Sequence, residues 1–220
     1  MNRILCFLLV VIGVWPAVAD DGQQIASLVK ETQKVVTDSG TLAVALWIPI
    51  EMFQDVLKTY PKVTDDAKKD LLKTAQDYVL IAVVDAKKGQ SGLSFTPAAD
   101  ILKSAKLTGP DGQTVTPLAD ANLNPAAQNL VGVVKPLFAG MMGRLGQNFQ
   151  LLVFPSADSA GKKMADPNSE GRVTLAENEH SFSWRLPLAS LLPEKICPKC
   201  GEHLPGNYKY CPYDGTKLSD

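Results

Sequence analysis

Three runs of apolar residues limit what this chain can fold into. Leu42 to Ile48 is continuously apolar and of strand length. Tyr78 to Asp85 (Tyr-Val-Leu-Ile-Ala-Val-Val-Asp) and Phe149 to Phe154 are of the same kind. A run without polar alternation is buried on both faces, so the first predicts a buried central strand and the second another buried strand, with Phe149 to Phe154 as a third apolar strand. With 220 residues, 45% of them hydrophobic, the chain is long enough for one ordinary domain with a real core and a small appendage.

Helical signals fill the stretches between these runs. Ile25, Leu28, Val29, Thr32, Val35 and Val36 recur at three- and four-residue spacing, which predicts a helix ended by Asp38-Ser39-Gly40. Pro49 suits the first turn of a helix over 50–60, carried by Ile50, Phe53, Leu57 and Tyr60 and stopped by Pro61. Thr64-Asp65-Asp66 opens another helix with Leu71, Leu72 and Ala75 inward. These acids read as a cap, because no calcium-loop spacing follows them. Thr96-Pro97 and Asn124-Pro125 pair a cap with a proline at the first helical position. They predict helices near 97–104 and from 125 to Met142, the latter kinked or divided at Pro136. Phe138, Met141 and Met142 read as core.

Turn signals complete the pattern. Lys87 to Gly92 is a polar turn, and Thr108-Gly109-Pro110-Asp111-Gly112 predicts a hairpin between Leu107 and Val115. Pro155 to Gly171 reads as a long mobile loop. Residues 172–176 and 181–188 predict a hairpin, with Phe182, Trp184 and Leu186 inward and Ser181, Ser183 and Arg185 outward. His180 falls in its turn and is expected to be exposed. No G-x-S-x-G elbow accompanies it, so it is not assigned to catalysis. Trp47 and Trp184 are expected at buried or half-buried strand positions. Interleaved helices and strands with several hairpins predict an α+β domain with a mixed or largely antiparallel sheet. A doubly wound parallel sheet fits less well, since Trp47-Ile48-Pro49-Ile50 stands where a glycine-rich phosphate loop would be needed.

The first nineteen residues read as a secretory signal peptide. Arg3 precedes an uncharged run from Ile4 to Trp15, and Ala17-Val18-Ala19 is a small-x-small cleavage site. The run is short of the roughly 20 residues a bilayer span needs. Ile4 and Leu5 before Cys6 do not suit a lipoprotein cleavage site. The expected mature chain is periplasmic or secreted and carries no further transmembrane segment. Its formal net charge of −1 gives no basic excess for phosphate neutralisation, so nucleic-acid binding is not expected.

That leaves Cys197, Cys200 and Cys211 in the mature chain, an odd number and close together, which does not make a disulfide framework. They lie in Cys197-Pro198-Lys199-Cys200-Gly201 and Tyr210-Cys211-Pro212-Tyr213-Asp214-Gly215, two copies of one short turn. A C-x-x-C turn lets two sulfurs reach one metal, and the glycine after it permits the tight backbone. The second copy has Asp214 where a fourth cysteine would stand. A redox role for Cys197 and Cys200 fits less well, because Pro198 and Gly201 favour a turn over a helix N-terminus.

Residues 197–218 resemble the zinc-ribbon family, through Cys197, Pro198, Cys200 and Gly201 in one knuckle and Tyr210, Cys211, Pro212 and Gly215 in the other. The resemblance covers about a tenth of the chain. It implies a structural zinc held by Cys197, Cys200, Cys211 and Asp214, with His203 as a competing fourth ligand. The organisation expected is a signal peptide over 1–19, an α+β domain over 20–193 and a zinc ribbon over 194–220. The function expected is that of an exported, non-catalytic binding or assembly protein with a protein partner at the ribbon. The alternatives are an envelope enzyme, hydrolytic or thiol-redox, and a periplasmic zinc carrier. No catalytic residue is assigned.

Overall fold

The structure, a computed structural model, describes residues 21–38, 40–61, 63–90 and 92–219. The signal-peptide expectation lies outside them. In chain order, α1 (Asp21–Thr32) leads into β1 (Gln33–Asp38) and β2 (Thr41–Ile48), and α2 (Ile50–Lys58) and α3 (Asp65–Ala75) precede β3 (Tyr78–Gly89) and β4 (Gly92–Phe95). Next come α4 (Ala98–Ser104), β5 (Lys106–Thr108), β6 (Thr114–Val115), α5 (Pro125–Met141) and β7 (Gln150–Pro155). The hairpin of β8 (Gly171–Glu177) and β9 (His180–Leu186) follows, then β10 (Lys195–Ile196) and β11 (His203–Leu204).

The first two apolar runs form the central strands β2 and β3 of a five-stranded sheet, and the third forms β7, which pairs with β3 alone and so lies at an edge. Strand β3 lies between β2 on one side and two shorter strands on the other. β7 pairs with its first half, from Tyr78 to Val83, and β4 with its last part, from Ala86 to Gly89. Val84 and Asp85 fall between these two partners, where the sheet edge changes hands. A second, four-stranded sheet has the order β6-β5-β8-β9. Every strand pairing among the described residues is antiparallel. The fold is α+β, and the doubly wound alternative does not occur.

One core joins the two sheets and the helices. Trp47 on β2 meets Trp184 on β9 edge to face, with ring centroids 6.0 Å apart. The Trp184 indole N–H donates to the Thr32 carbonyl at 2.6 Å, so a tryptophan buried in the core leaves no donor unpaired. The Glu31 carboxylate accepts from the backbone N–H groups of Ala189 and Ser190 at 2.7 and 2.8 Å and so ties α1 to the turn after β9. Two of the caps work as their sequences predict. Asn124 Oδ1 accepts from the Ala127 N–H at 2.8 Å, and Thr64 Oγ1 from the Ala67 N–H at 3.4 Å.

Five expectations are corrected. Helix α1 stops at Thr32, and Gln33–Asp38 turns back as a strand against β2, with Asp38 opposite Thr41. The β-branched Val35, Val36 and Thr37 favour the strand, and a tight turn through Gly40 closes the hairpin. The polar Lys87 and Lys88 extend β3 rather than forming a turn, because both pair with β4. Proline 97 occupies the cap position of α4, and the Thr96 hydroxyl donates instead to Asp85 Oδ2 at 2.8 Å. Helix α5 runs unbroken past Pro136. Its buried face of Ala127, Leu130, Val134 and Phe138 packs on both sides of the proline and holds the two halves together. The segment after β7 is irregular as expected, yet it is tied down. Met164 is buried and its N–H donates to the Ser156 carbonyl at 2.8 Å, while Ala157 bridges Lys163.

Candidate metal centre

The two C-terminal turns repeat one another bond for bond. The Cys197 carbonyl accepts from the Gly201 N–H at 2.9 Å, and the Cys197 N–H donates to the Glu202 carbonyl at 2.9 Å. Fourteen residues on, the Cys211 carbonyl accepts from the Gly215 N–H at 2.9 Å, and the Cys211 N–H donates to the Thr216 carbonyl at 2.8 Å. Gly201 and Gly215 sit at φ +76° and +72°, where a side chain would be strained. In this pairing Asp214 takes the place that Cys200 has in the first turn. The β10–β11 pair supports the first knuckle and the Tyr210–Lys217 bridge the second.

The side chains then converge. One donor atom from each of Cys197, Cys200, Cys211 and Asp214 lies within 4.8 Å of all the others. Cys200 Sγ is 3.7 Å from Cys211 Sγ, and Cys197 Sγ is 3.6 Å from Asp214 Oδ2. A tetrahedral centre with metal–sulfur bonds of about 2.3 Å and a metal–oxygen bond of about 2.0 Å would space its sulfurs about 3.8 Å apart and its sulfur and oxygen about 3.5 Å apart. The donor set and its spacing therefore fit a metal ion. All three cysteines are free thiols.

Electrostatics distinguish the four donors. The Thr216 backbone N–H, 2.9 Å from Asp214 Oδ1, holds that carboxyl well below the usual range, helped by the Thr216 hydroxyl and the Cys211 and Cys200 thiols. The Cys197 thiol is lowered, chiefly by the Cys200 backbone N–H and then by that of Lys199. At Cys200 the Glu202 backbone N–H pulls down, but loss of solvent and the neighbouring Cys197 and Cys211 sulfurs together push the thiol up to about 12. A metal ion takes cysteine as the thiolate, so binding one here would release thiol protons.

His203 is not part of this group. It is exposed on β11, with Nδ1 3.2 Å from Glu194 Oε2. Of the six exposed large hydrophobic side chains among the described residues, four belong to this module: Ile196, Tyr208, Tyr210 and Tyr213.

The α+β part holds a second polar cluster that the sequence reading missed. His180 is not an exposed turn residue. Its side chain is 13% exposed, and Nε2 lies 3.6 Å from Asp85 Oδ1. Asp85 and Glu177 are both buried. Asn178, at φ +46°, joins them: its side-chain N–H donates to Asp85 Oδ2 at 3.0 Å and also to Glu177 Oε1. Burial, and then the charge of Asp85, push Glu177 up to about 7. The signal was the acid closing an otherwise apolar strand run; Thr96 lies eleven residues on, but Glu177, Asn178 and His180 lie more than ninety residues away and only the fold brings them to it. Comparisons with protein-family models, curated proteins and solved structures found no match.

Proposed function

We propose that this chain is an exported, non-catalytic binding or assembly protein whose C-terminal residues 194–220 form a zinc ribbon. The observation that carries this reading is the pair of equivalent knuckles that bring Cys197, Cys200, Cys211 and Asp214 within one coordination sphere. Thiolate-rich tetrahedral sites select zinc among the common divalent ions. Four protein ligands leave no open position for water, so the zinc is structural. The signal-like first nineteen residues support export. Ile196 and the three tyrosines support a contact role, because a folded surface seldom exposes so many large apolar side chains on so few residues.

Metal analysis of the mature chain tests the reading. One zinc per chain is expected in the wild type, loss of zinc in Cys211→Ser, weakened binding in Asp214→Ala and full retention in His203→Ala. A metal-free wild type with a Cys197–Cys200 disulfide by mass would overturn it. The carrier alternative draws on one observation, the exposure of Cys200 beside an oxygen ligand. It requires zinc to pass to a competing chelator within seconds while the tail stays folded.

A further inference from the structure

The cluster around Asp85 lies at a cavity of about 580 Å³, within the range of small-molecule sites. It opens beside Asp85, at the point where the partner of β3 changes from β7 to β4. Four separate segments line it: Thr41 at the start of β2, strand β3, residues 96–104 and residues 178–180 at the β8–β9 turn. Every lining side chain is polar.

Asp85 is the feature that a purely structural role leaves unexplained. The residue is 4% exposed. Its Oδ2 accepts from Thr96 and Asn178, at 2.8 and 3.0 Å. Its Oδ1 has no hydrogen-bond partner, and the His180 ring nitrogen 3.6 Å away is too far to supply one. Buried polar atoms are nearly always paired, because an unfilled one costs about 1–3 kcal/mol. The neighbouring acid, Glu177, also has an unpartnered oxygen, but it can meet that cost by taking up a proton. Asp85 Oδ1 is the other acceptor left without a partner. The lining carries three acids, Asp85, Asp100 and Glu179, against two lysines, Lys87 and Lys103.

We propose that this cavity binds a small molecule bearing a cationic nitrogen, an ammonium or guanidinium group, with Asp85 Oδ1 as its anchor. A fixed N–H donor supplies the missing partner and the missing counter-charge together. Asn178 and Thr96 hold the carboxylate in place through its other oxygen, and His180 stands beside the free one. The exposed Lys87 and Lys103 favour a ligand whose other end is neutral or anionic. A metal ion fits less well. Among the described residues the close-set group of metal-ligating atoms is the cysteine cluster, and Asp85, Glu177 and His180 do not form a second.

The test is a ¹⁵N NMR titration of the full mature chain with methylguanidinium chloride, ethylammonium chloride and sodium acetate at equal ionic strength. The two cations are expected to give saturable shifts centred on the amides of residues 85, 96, 178 and 180, and acetate none. Asp85→Asn should weaken cation binding at least tenfold. Lys103→Glu should tighten it severalfold and Asp100→Asn should weaken it. These two positions are exposed, so both variants keep the proposal testable if Asp85→Asn does not fold. Acetate shifting these amides in place of the cations, no saturable shift with either cation, unchanged affinity in Asp85→Asn, or rim variants without effect would each overturn the proposal.

Discussion

The α+β part and the C-terminal module solve the same problem by different means. The first buries a continuous core that runs through both sheets and their helices, with Trp47, Trp184, Phe53, Phe138 and Phe154 fully enclosed. The second buries four residues, Cys197, Leu204, Cys211 and Leu218, and two of these are metal-ligand candidates. Apolar burial stabilises by roughly 25 cal/mol per Å², so a large core can offset the entropy of an ordered chain and a cluster of four residues cannot. Segments below about 40 residues usually need a metal, disulfides or a partner. The difference shows that one continuous chain can contain a region held by many weak contacts and a region whose few buried residues are too small a core to hold it alone.

Metal removal should separate the two most sharply. Zinc contributes on the order of 10 kcal/mol to folding of small zinc modules. A chelator is therefore expected to unfold residues 194–220, seen as loss of hydrogen-exchange protection there, and to leave the protection of β2 and β3 unchanged. Collapse of both regions together would break the distinction.

Trp184→Ala strikes the other side. It removes the edge-to-face contact with Trp47 and leaves the Thr32 carbonyl unpaired. A loss of about 3–5 kcal/mol is expected in urea unfolding, with the zinc content of the folded protein unchanged. A smaller loss, or zinc released in step with it, would mean that the two regions are coupled.

The smallest effect belongs to Glu177, whose titration is set by the α+β core. Its folded-state value is raised from 4.5 to about 7. Between these values the folded chain holds a proton that the unfolded chain has released. The contribution of Glu177 to stability is therefore fully present below about pH 4.5 and is lost as the pH rises through about 7. Glu177→Gln should flatten the fall of stability over this window, by up to about 1.4 kcal/mol per pH unit. Unfolding measured across a pH series checks this, and an unchanged slope would assign it to another group.

How much was legible beforehand depended on how local the physics was. The apolar runs at 42–48 and 78–85 became central strands because burial on both faces needs no information beyond the run itself. The caps at Thr64 and Asn124 were readable because a cap bonds to an N–H three residues on. The C-x-x-C turn was readable for the same reason, since Gly201 and Cys197 close it within five residues. Helix α1 was overextended because Val35 and Val36 continue its spacing, and only the pairing with Ala43 and Val44 across the hairpin decides for a strand. Pro136 argued for a break, which the packing of Val134 and Phe138 on either side overrode.

The sequence alone determined the two central strands, most helix starts and the two knuckles, all of which are settled by the composition of a short run or by contacts a few residues apart. Tertiary structure decided that Asp214 meets Cys197, seventeen positions away, and that Asp85 meets Asn178, ninety-three positions away. It also decided that His180 turns inward, toward a gap left where one strand hands β3 over to another. Such meetings depend on chain topology and on buried polar groups finding partners, and neither leaves a periodicity in the sequence.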